Sequence, residues 1–396
     1  MRIAVITHRV ARGDGQGRVN FEIVKGALRD GHHVVIVASH AAHELIADAR
    51  LTFVPIRVAA WPTDLLRNQV FAWKASGWLG RHRPSCDLVV ANGGIIWGRT
   101  DVNVVHFVHS AWRRSPVHLA RMHRGPYGWY QWLYSAANSR WEQRAFRETR
   151  AVVAVSERVR GELLALGVPP AVVGVIHNGV DVDEFSPGGA DRRRWGLPDA
   201  PLALFVGDIR TRRKNLDTTL AAVARLPDVH LAVVGDTSGS PFPRLAEASG
   251  VAERVHFLGV RHDVPDLMRA ADVFVFPSRY EACSLVLLEA LASGLPIVTA
   301  CTAGGAELVD DGCGIVLDDP DDVGALVGAI TAVLSNGERR QQMRTRARAC
   351  AERSTWAMMA SRYLQLFDTL GPRNVRSADT AQTSPRAERD PSPCSP

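Results

Sequence analysis

Short apolar runs recur along the chain and alternate with longer segments in which apolar residues return every three or four positions. The runs are rich in valine and isoleucine, which is typical of strands buried on both faces of a parallel sheet. They cover residues 1–7, 33–38, 52–56, 88–91, 102–107, 152–155, 172–176, 202–206, 231–235, 255–258, 273–276, 296–300 and 314–317. Strands separated by helical segments predict an α/β fold with mostly parallel, doubly wound sheets.

The length of the chain indicates more than one such sheet. A chain of 396 residues exceeds the size at which one hydrophobic core usually keeps growing. Residues 186–200 are rich in proline, glycine and charge, which is typical of a linker. We therefore predict a first domain over residues 1–185 and a second over 201–352. A closing helix at 353–370 and a disordered tail at 371–396 complete the prediction.

One βαβ unit in the second half carries unusual polar positions. Its first strand, Val273–Phe276, is followed by a polar loop, and leucines at helical spacing then predict a helix over 284–293. Glu281 lies in the loop, and Glu289 lies within the helix. Ligands of parallel sheets collect at the carboxyl ends of the strands, where this loop lies. The unit is therefore a candidate binding site.

Two positions of the predicted helix, its start and Glu289 within it, suit different parts of a nucleotide. Amide groups near Ser284 and Leu285, at the start of the helix, have no partner within it and attract anions such as phosphate. Glu289 stands among leucines and alanines, where a carboxylate is costly unless a polar group pairs with it. We expect Glu289 to accept ribose hydroxyls below a phosphate held at the helix start.

A series of motifs around this unit follows a recognisable order. Pro-Ser, Glu281, seven further residues, Glu289, a Ser-Gly-Leu-Pro-Ile-Val turn and a Gly-Gly pair before Glu307 succeed one another. This order resembles the E-x7-E donor site of the family 4 glycosyltransferases, also called group 1, which are retaining enzymes. The resemblance covers residues 1–370. It implies that Glu281 positions the sugar and that Glu289 holds the ribose.

The fold implied by the resemblance is the GT-B arrangement. In it, two Rossmann-like domains face each other across a cleft, the first holding the acceptor and the second holding a nucleotide-sugar donor. The last helix of the family crosses back onto the first domain. The final helix here, with Trp356, Met359, Tyr363 and Phe367 at helical spacing, resembles it.

A glycine-rich loop follows the first strand. The segment Gly13-Asp14-Gly15-Gln16-Gly17 precedes a helix predicted over residues 18–30. Glycine lets backbone N–H groups approach a phosphate closely because no Cβ intervenes. Relatives often carry two adjacent glycines, whereas Gln16 separates Gly15 from Gly17 here. Both glycines are candidate donor-binding residues.

A basic loop follows the first strand of the second domain. Arg213 and Lys214 resemble the family's basic pair that clamps the donor diphosphate, for which a guanidinium fork and a point charge are both suited. The residue after Gly207 is often arginine in relatives and is Asp208 here, so Arg210 is expected to replace it. The resemblance also implies that the backbone near Arg261 holds the base.

Two histidines stand where a first-domain strand becomes a loop. His109 matches the position of the family's recurring histidine near the sugar, and we predict that it belongs to the site. For His106 we favour a packing role at the strand end. The pair lacks the helical spacing and the further ligand that a metal site needs. Asp181-Val182-Asp183 matches the D-x-D signature of a different glycosyltransferase fold, and we expect no metal ion there.

Aromatic and arginine side chains are concentrated between residues 112 and 150. This mixture suits an interface with anionic lipids or an acceptor that carries phosphate. Alternatively, these residues form a helix whose aromatic side chains pack inward. Both interpretations stay open, with a slight preference for docking on an anionic membrane surface.

Composition excludes several other classes. The formal charge of +6 is modest, and no nucleic-acid reader motif accompanies it. The six cysteines form no C-x-x-C pair, which argues against a zinc site or a disulfide framework. We find no leader pattern and no run of about eighteen apolar residues. The expected location is the cytoplasm, with peripheral attachment to the membrane as the finer alternative.

The resemblance implies transfer of a hexose-type sugar from a nucleotide-diphosphate sugar to a hydroxyl group of a glycan or lipid-linked acceptor. Cell-surface polysaccharide synthesis is the expected setting, and neither a metal nor another cofactor is expected. Two other functions stay open: a sugar-nucleotide epimerase of similar architecture and a non-catalytic nucleotide-sugar binding protein. A glycogen-type phosphorylase needs a pyridoxal lysine, and the chain has only Lys25, Lys74 and Lys214.

Overall fold

The computed structural model describes residues 1–371, so the remainder of the predicted tail, residues 372–396, lies outside the described residues. The strands are β1 Arg2–Ile6, β2 Arg9–Val10, β3 His33–Ala38, β4 His40–Ala41, β5 Leu51–Pro55, β6 Leu88–Asn92, β7 Val102–Val105, β8 Ala151–Ala154, β9 Val173–Val175, β10 Leu202–Val206, β11 His230–Val234, β12 Val255–Gly259, β13 Val273–Phe276, β14 Ile297–Ala300 and β15 Gly314–Leu317. The helices are α1 Gly15–Arg29, α2 His43–Ile46, α3 Asp64–His82, α4 His109–Arg114, α5 Leu119–Met122, α6 Pro126–Arg147, α7 Glu157–Ala165, α8 Leu216–Ala224, α9 Phe242–Ala248, α10 Val264–Ala270, α11 Leu285–Ala292, α12 Val323–Leu334, α13 Gly337–Glu352 and α14 Trp356–Leu370.

The first sheet has seven parallel strands in the order β5-β3-β1-β6-β7-β8-β9. Its central strands are valine- and isoleucine-rich, and β6 and β7 are buried along their whole length. Helices cover both faces of the sheet, so the side chains on both faces of these central strands are buried. This explains the continuous apolar runs in the sequence. The doubly wound sheet that the periodicity predicts is confirmed.

The second sheet has six parallel strands in the order β12-β11-β10-β13-β14-β15. It draws only on residues 202–317, and the first sheet draws only on residues 2–175. The predicted linker, 186–200, lies between these two halves and contains one turn of 3-10 helix at Arg192–Trp195. Each sheet has its own hydrophobic core.

The last helix belongs to the core of the first half. Helix α14 packs against α1, and Tyr363 and Phe367 are completely buried in the first core. A Cβ on Gly26 would stand 3.0 Å from the Cβ of Ala360, so the two helices approach closely at this point. The predicted return of the final helix to the first domain is confirmed.

The carboxyl ends of the two sheets meet. Tyr280, in the loop after β13, packs its ring 5.7 Å from Phe107 and 5.0 Å from Trp112, which follow β7. Ser156, which follows β8, donates from Oγ to the carbonyl oxygen of Ala282 at 2.5 Å. The loops that the sequence predicts to bind ligand therefore line the boundary between the two halves.

Helix α1 begins earlier than predicted. The sequence suggested a glycine-rich loop up to Gly17, but the helix starts at Gly15, and Asp14 caps it. The Asp14 carboxylate accepts the N–H of Gly17 at 2.6 Å, which satisfies one of the free amides of the first turn. Two glycines in that turn are tolerated because the cap compensates for their low helix propensity.

Candidate active site

The loop after β13 is held on both sides. Ser278 donates from Oγ to the carbonyl oxygen of Arg213 at 3.1 Å, and its own carbonyl accepts from Thr302 Oγ1 at 2.5 Å. Gly304 passes so close to the backbone of Ala282 that a Cβ at this position would overlap the Ala282 carbonyl oxygen. The Gly-Gly pair that the sequence singled out therefore serves to let the loop 301–305 approach this one.

Glu281 is the centre of a charged cluster within the loop. Its Oε1 lies 2.8 Å from Nη1 of Arg213 and 2.7 Å from Nζ of Lys214. The Glu281 side chain is 10% exposed and that of Lys214 is 13% exposed, so little water screens these two charges, whereas Arg213 is 30% exposed. Burial lowers the pKa of Lys214, and the Glu281 carboxylate opposes this shift. The loop glutamate and both members of the basic pair thus form one cluster.

The cluster contains two cations for a single carboxylate. Like charges packed this closely repel each other unless an anion joins them. Glu281 supplies only part of that compensation, and the remaining positive charge favours a ligand that carries more than one negative oxygen. A diphosphate meets this requirement.

Glu289 faces a second part of the cleft. It lines a cavity of about 390 Å³ together with residues from both halves of the protein, namely Gly13, Asp14, Gly15, Arg18, Gly179, Val180, Asp181, Glu184, Phe185, Leu285 and Trp356. Burial, and to a smaller extent the nearby Glu184 carboxylate, raises the pKa of Glu289 to about 7, and Arg18 opposes both effects. A carboxyl group kept in such surroundings is available to accept hydrogen bonds from a ligand.

The start of α11 lies between the charged cluster around Glu281 and the carboxyl group of Glu289. The N–H of Ser284 donates to the carbonyl oxygen of Gly304 at 2.9 Å, while within residues 1–371 its buried Oγ has no hydrogen-bond partner. The next residue, Leu285, opens the helix, so its amide belongs to the first turn, where intrahelical acceptors are lacking. Both predicted phosphate-binding positions are therefore at the helix start, next to the cavity of Glu289.

The two glycines of the α1 turn have different surroundings. Gly15 faces the side chain of Leu285, so it lies beside the start of α11. Gly17 is buried against Ala11 and Asp14, and its N–H is already bonded to Asp14. Of the two candidates, Gly15 stands at the cavity and Gly17 shapes the turn behind it.

His109 opens helix α4, and a buried glutamate holds its ring. Oε1 of Glu142 contacts Nδ1 of His109, and Oε2 accepts the backbone N–H of His109 at 2.9 Å. His106 is half-buried with its Nε2 enclosed, and this desolvation lowers its pKa to about 4. The packing role of His106 and the site role of His109 both stay predictions.

Arg210 and Arg261 stand apart from the charged cluster. Arg210 pairs with Asp208 at 3.1 Å and lies 3.8 Å from Asp236. Arg261 pairs with Asp263 at 2.6 Å. Neither guanidinium contacts Glu281, Arg213 or Lys214 within the described residues, so a donor role for either residue stays a prediction.

Sequence reasoning missed several groups at this boundary. No sequence pattern indicated that Glu142 contacts His109, because the two residues lie thirty-three positions apart and share no local motif. Tyr280 donates its hydroxyl to Glu162 at 3.2 Å across the boundary. The sequence indicated Glu307 only as the end of a motif. In the structure its carboxylate accepts the N–H of Glu157 at 2.7 Å. The Tyr280–Glu162 and Glu157–Glu307 contacts bridge the two halves, whereas Glu142 and His109 both belong to the first half.

Family comparisons divide the chain in the same way as the two sheets. Residues 13–184 match the family described as Glycosyltransferase Family 4. Residues 189–349 match the family described as Glycosyl transferases group 1. The two matches meet within a few residues of the predicted linker.

Among curated relatives, the D-inositol 3-phosphate glycosyltransferase of Mycobacterium sp. (strain KMS) is 38% identical over 208 residues. The match covers 50% of this chain and 47% of that protein. The chain thus spans about half the length of the curated relatives it matches.

Solved structures share the whole architecture. WaaG, a glycosyltransferase involved in lipopolysaccharide biosynthesis, superposes with a TM-score of 0.73 at 23% identity over 92% of this chain and 99% of that one. Anabaena Alr3699/HepE, solved in complex with UDP-glucose, superposes with a TM-score of 0.65 at 18% identity, covering 93% and 100%. Together with the two facing parallel sheets, these neighbours define a GT-B fold. With both halves matched, the chain belongs to the group 1 glycosyltransferases of family 4.

Proposed function

We propose that this protein is a retaining glycosyltransferase that moves a hexose-type sugar from a nucleotide-diphosphate sugar to a hydroxyl group of a glycan or lipid-linked acceptor. The observation that carries the proposal is the contact of Glu281 with both Arg213 and Lys214. Two clustered cations beside the sugar-positioning carboxylate match the charge that a departing diphosphate develops. The neighbours named for lipopolysaccharide synthesis support a setting in cell-surface polysaccharide synthesis.

The donor would lie along the boundary between the halves. Its diphosphate would bind Arg213 and Lys214 on one side. On the other side it would meet the unpaired hydroxyl group of Ser284 and the amide of Leu285 at the start of α11. Its ribose would enter the cavity lined by Glu289. In the remaining assignments, Gly15 and Gly17 shape the approach of α1, Arg210 adds positive charge, and the backbone at Arg261 holds the base.

The sugar would lie between Glu281 and His109. Departure of the diphosphate leaves the anomeric carbon electron-poor. The oxygen of the acceptor hydroxyl group then forms the new bond on the same face, and its proton passes to the departing diphosphate. Arg213 and Lys214 stabilise the negative charge of the leaving group, so the proposed reaction needs no metal ion. Undiminished activity in excess EDTA is the expected result, and a loss that magnesium or manganese restores would contradict this part.

The proposal is tested with the full chain and a panel of UDP-, GDP- and ADP-sugars. Calorimetry identifies the donor, and nuclear magnetic resonance of the product's anomeric proton reports whether configuration is retained. Glu281→Gln should bind the nucleotide and lose turnover, whereas the exposed Arg339→Ala on α13 should match the wild type. Binding without turnover of any sugar by the wild type would favour the non-catalytic alternative.

We also propose that the first half docks on an anionic membrane surface. Three aromatic side chains of α6 point into solvent, with exposures of 52% for Tyr127, 69% for Trp129 and 46% for Trp132. We call these three the aromatic ridge. Arginines 121 and 124 precede it in sequence and are exposed. No helix within residues 1–371 is long and apolar enough to cross a membrane. Aromatic side chains beside arginines suit the lipid interface.

The same segment also contains inward-facing aromatic residues. Tyr130 accepts the N–H of Leu65 at 3.3 Å, and Tyr134 accepts from Asn68 at 3.1 Å, so both face α3. Trp112 is buried against Tyr280. Inward packing thus describes these three residues, and the docking proposal rests on the aromatic ridge.

A further inference from the structure

A second polar cavity lies on the flank of the first half. It has a volume of about 480 Å³ and lies between helices α4, α5 and α6, near the end of α7. Its polar lining comes from Ser110, Arg113, Arg114, His118, Arg121, Ser139 and Gln143. None of the residues assigned to the donor lines it. A cavity of this composition calls for its own explanation.

Several polar atoms of this lining are buried and unsatisfied. Within residues 1–371, the hydroxyl groups of Ser110 and Ser139 and the Nε of Arg113 have no hydrogen-bond partner. Ser110 is only 7% exposed and Ser139 only 2% exposed. Buried polar groups are almost always hydrogen-bonded, because leaving one unpaired costs free energy. Three such atoms around one cavity indicate that a ligand with hydrogen-bond acceptors completes it.

The charges of the lining specify that ligand further. Within the described residues, no carboxylate lies within ion-pair distance of Arg113, Arg114 or Arg121. Arg113 instead stands 5.6 Å from the ring centre of Trp132. Burial lowers the pKa of His118, and the charges of Arg121 and Arg113 lower it further, so the neutral ring is favoured and adds no further positive charge. The lining therefore carries a net positive charge, which Glu162 offsets only from beyond ion-pair distance of Arg114.

Guanidinium groups and hydroxyl donors together recognise phosphate oxygens. Arginine offers a planar fork of N–H donors that matches a phosphate, and serine hydroxyls donate to its remaining oxygens. A carboxylate presents its oxygens in one plane, whereas the donors here come from α4, α5 and α6. A phosphate group presents its free oxygens in a tetrahedral arrangement and suits donors that converge from several directions.

We propose that this cavity binds a phosphate group, as a monoester or a diester. Two sources share this chemistry: a soluble phosphorylated sugar and the headgroup of a phospholipid. The site goes beyond the proposed transfer reaction, and its binding can be measured without any turnover. Because Ser110 directly follows His109, an occupied cavity would also bring the phosphate-bearing molecule close to the acceptor side of the cleft.

The test uses the purified full chain in a phosphate-free buffer. One arm titrates inorganic phosphate and glucose 6-phosphate by calorimetry, and the other measures co-sedimentation with phosphatidylcholine vesicles with and without phosphatidic acid. The probe variant is Arg113→Ala. The matched control is Arg140→Ala, an exposed arginine of α6 outside the cavity. Affinity for UDP is followed in both variants as a readout of the donor site.

The expected result is a saturable affinity that Arg113→Ala weakens about tenfold or more and Arg140→Ala leaves within about twofold. A response in the soluble arm assigns the site to a phosphorylated sugar, and a response only with phosphatidic acid assigns it to a lipid headgroup. UDP affinity should stay at the wild-type value in both variants. Absence of binding in both arms, or equal losses in the two variants, would overturn the proposal.

A second variant separates a ligand role from a structural one. Ser139→Ala removes a hydroxyl that is unpaired in the ligand-free protein, so the thermal midpoint should not fall. Affinity for the phosphate probe should still decrease. A lower midpoint with unchanged phosphate affinity would assign Ser139 to the stability of α6 and contradict the proposal.

Discussion

Glu142 contacts His109 twice, through Oε1 to the ring nitrogen Nδ1 and through Oε2 to the backbone N–H at 2.9 Å. The carboxylate therefore fixes both the ring and the start of α4 that carries it. A carboxylate at Nδ1 keeps the proton on that nitrogen, which leaves Nε2 as the hydrogen-bond acceptor of the neutral ring. The backbone of Glu142 is itself packed so tightly against Gly94 that a Cβ at Gly94 would stand 2.8 Å from the Glu142 nitrogen.

Glu142→Ala is expected to lower kcat about ten- to a hundredfold, because His109 loses a charge-assisted contact that orients it. Donor affinity, measured by calorimetry with UDP, should not change. Glu142→Gln should recover part of the loss, since its amide oxygen can still accept from Nδ1. A fall in UDP affinity that parallels kcat would show general damage to the fold and contradict a positioning role.

Lys214→Ala should reduce turnover of the nucleotide sugar by roughly ten- to a hundredfold, because a charge-assisted contact of about 1.5–3 kcal/mol to the diphosphate is lost. The thermal midpoint should barely change. Arg212→Ala is the matched control, since Arg212 is the exposed neighbour in the same turn. Near-wild-type turnover of Lys214→Ala at saturating donor would refute the clamp assignment.

The raised pKa of Glu289 predicts that the free energy of unfolding depends on pH. Its pKa in the folded protein is about 7, whereas the usual value of a glutamate is 4.5. The folded state therefore binds the proton more tightly, so Glu289 destabilises the protein increasingly as pH rises from about 4.5 to 7. Glu289→Gln should gain on the order of 1–3 kcal/mol over the wild type at pH 8 and about nothing at pH 4. Denaturant titrations at the two pH values measure this difference.

The same substitution should weaken the binding of nucleotide. A ribose hydroxyl loses its charged acceptor, so the donor KM and the Kd of free nucleoside diphosphate should both rise. For the wild type, affinity should increase as pH rises through 7, because the carboxylate is the better acceptor. Unchanged affinity of Glu289→Gln for nucleoside diphosphate would contradict the ribose role.

Replacing two members of the aromatic ridge, Tyr127→Ser with Trp129→Ser, should reduce co-sedimentation with anionic vesicles. The residual binding should fall with added salt, since each basic residue near the surface contributes roughly 1 kcal/mol and screening is short-ranged. Trp97→Ser is the control, because Trp97 is 48% exposed and lies outside the ridge. Failure of the wild type to bind anionic vesicles at low salt, with activity on a soluble acceptor, would refute docking.

Local patterns predicted the sheets well and the site in part. Strands such as Val273–Phe276 were recognised with their observed bounds because buried parallel strands are apolar throughout. The start of α1 was misplaced because glycine composition suggested a loop, while the deciding interaction was the Asp14 cap. The cluster around Glu281 was foreseeable from motifs. Its geometry and the His109–Glu142 pair were not, since both depend on chain segments far apart in sequence.

The polypeptide passes between the two halves twice, once through residues 186–200 and once just before α14. At the second passage the N–H of Val180 donates to the carbonyl oxygen of Ser354 at 2.9 Å, and a Cβ at Gly179 would overlap the backbone of Trp356. Helix α14 thus follows the second half in sequence but packs with the first half in the structure. Anyone exchanging donor specificities between relatives should cut the chain in two places, transplanting residues 186–352 and leaving α14 with its original partner α1. A hybrid joined at a single point would place a foreign helix against Gly26, where the original protein has Ala360. We expect this mismatch to reduce the solubility of the hybrid before it reduces catalytic activity.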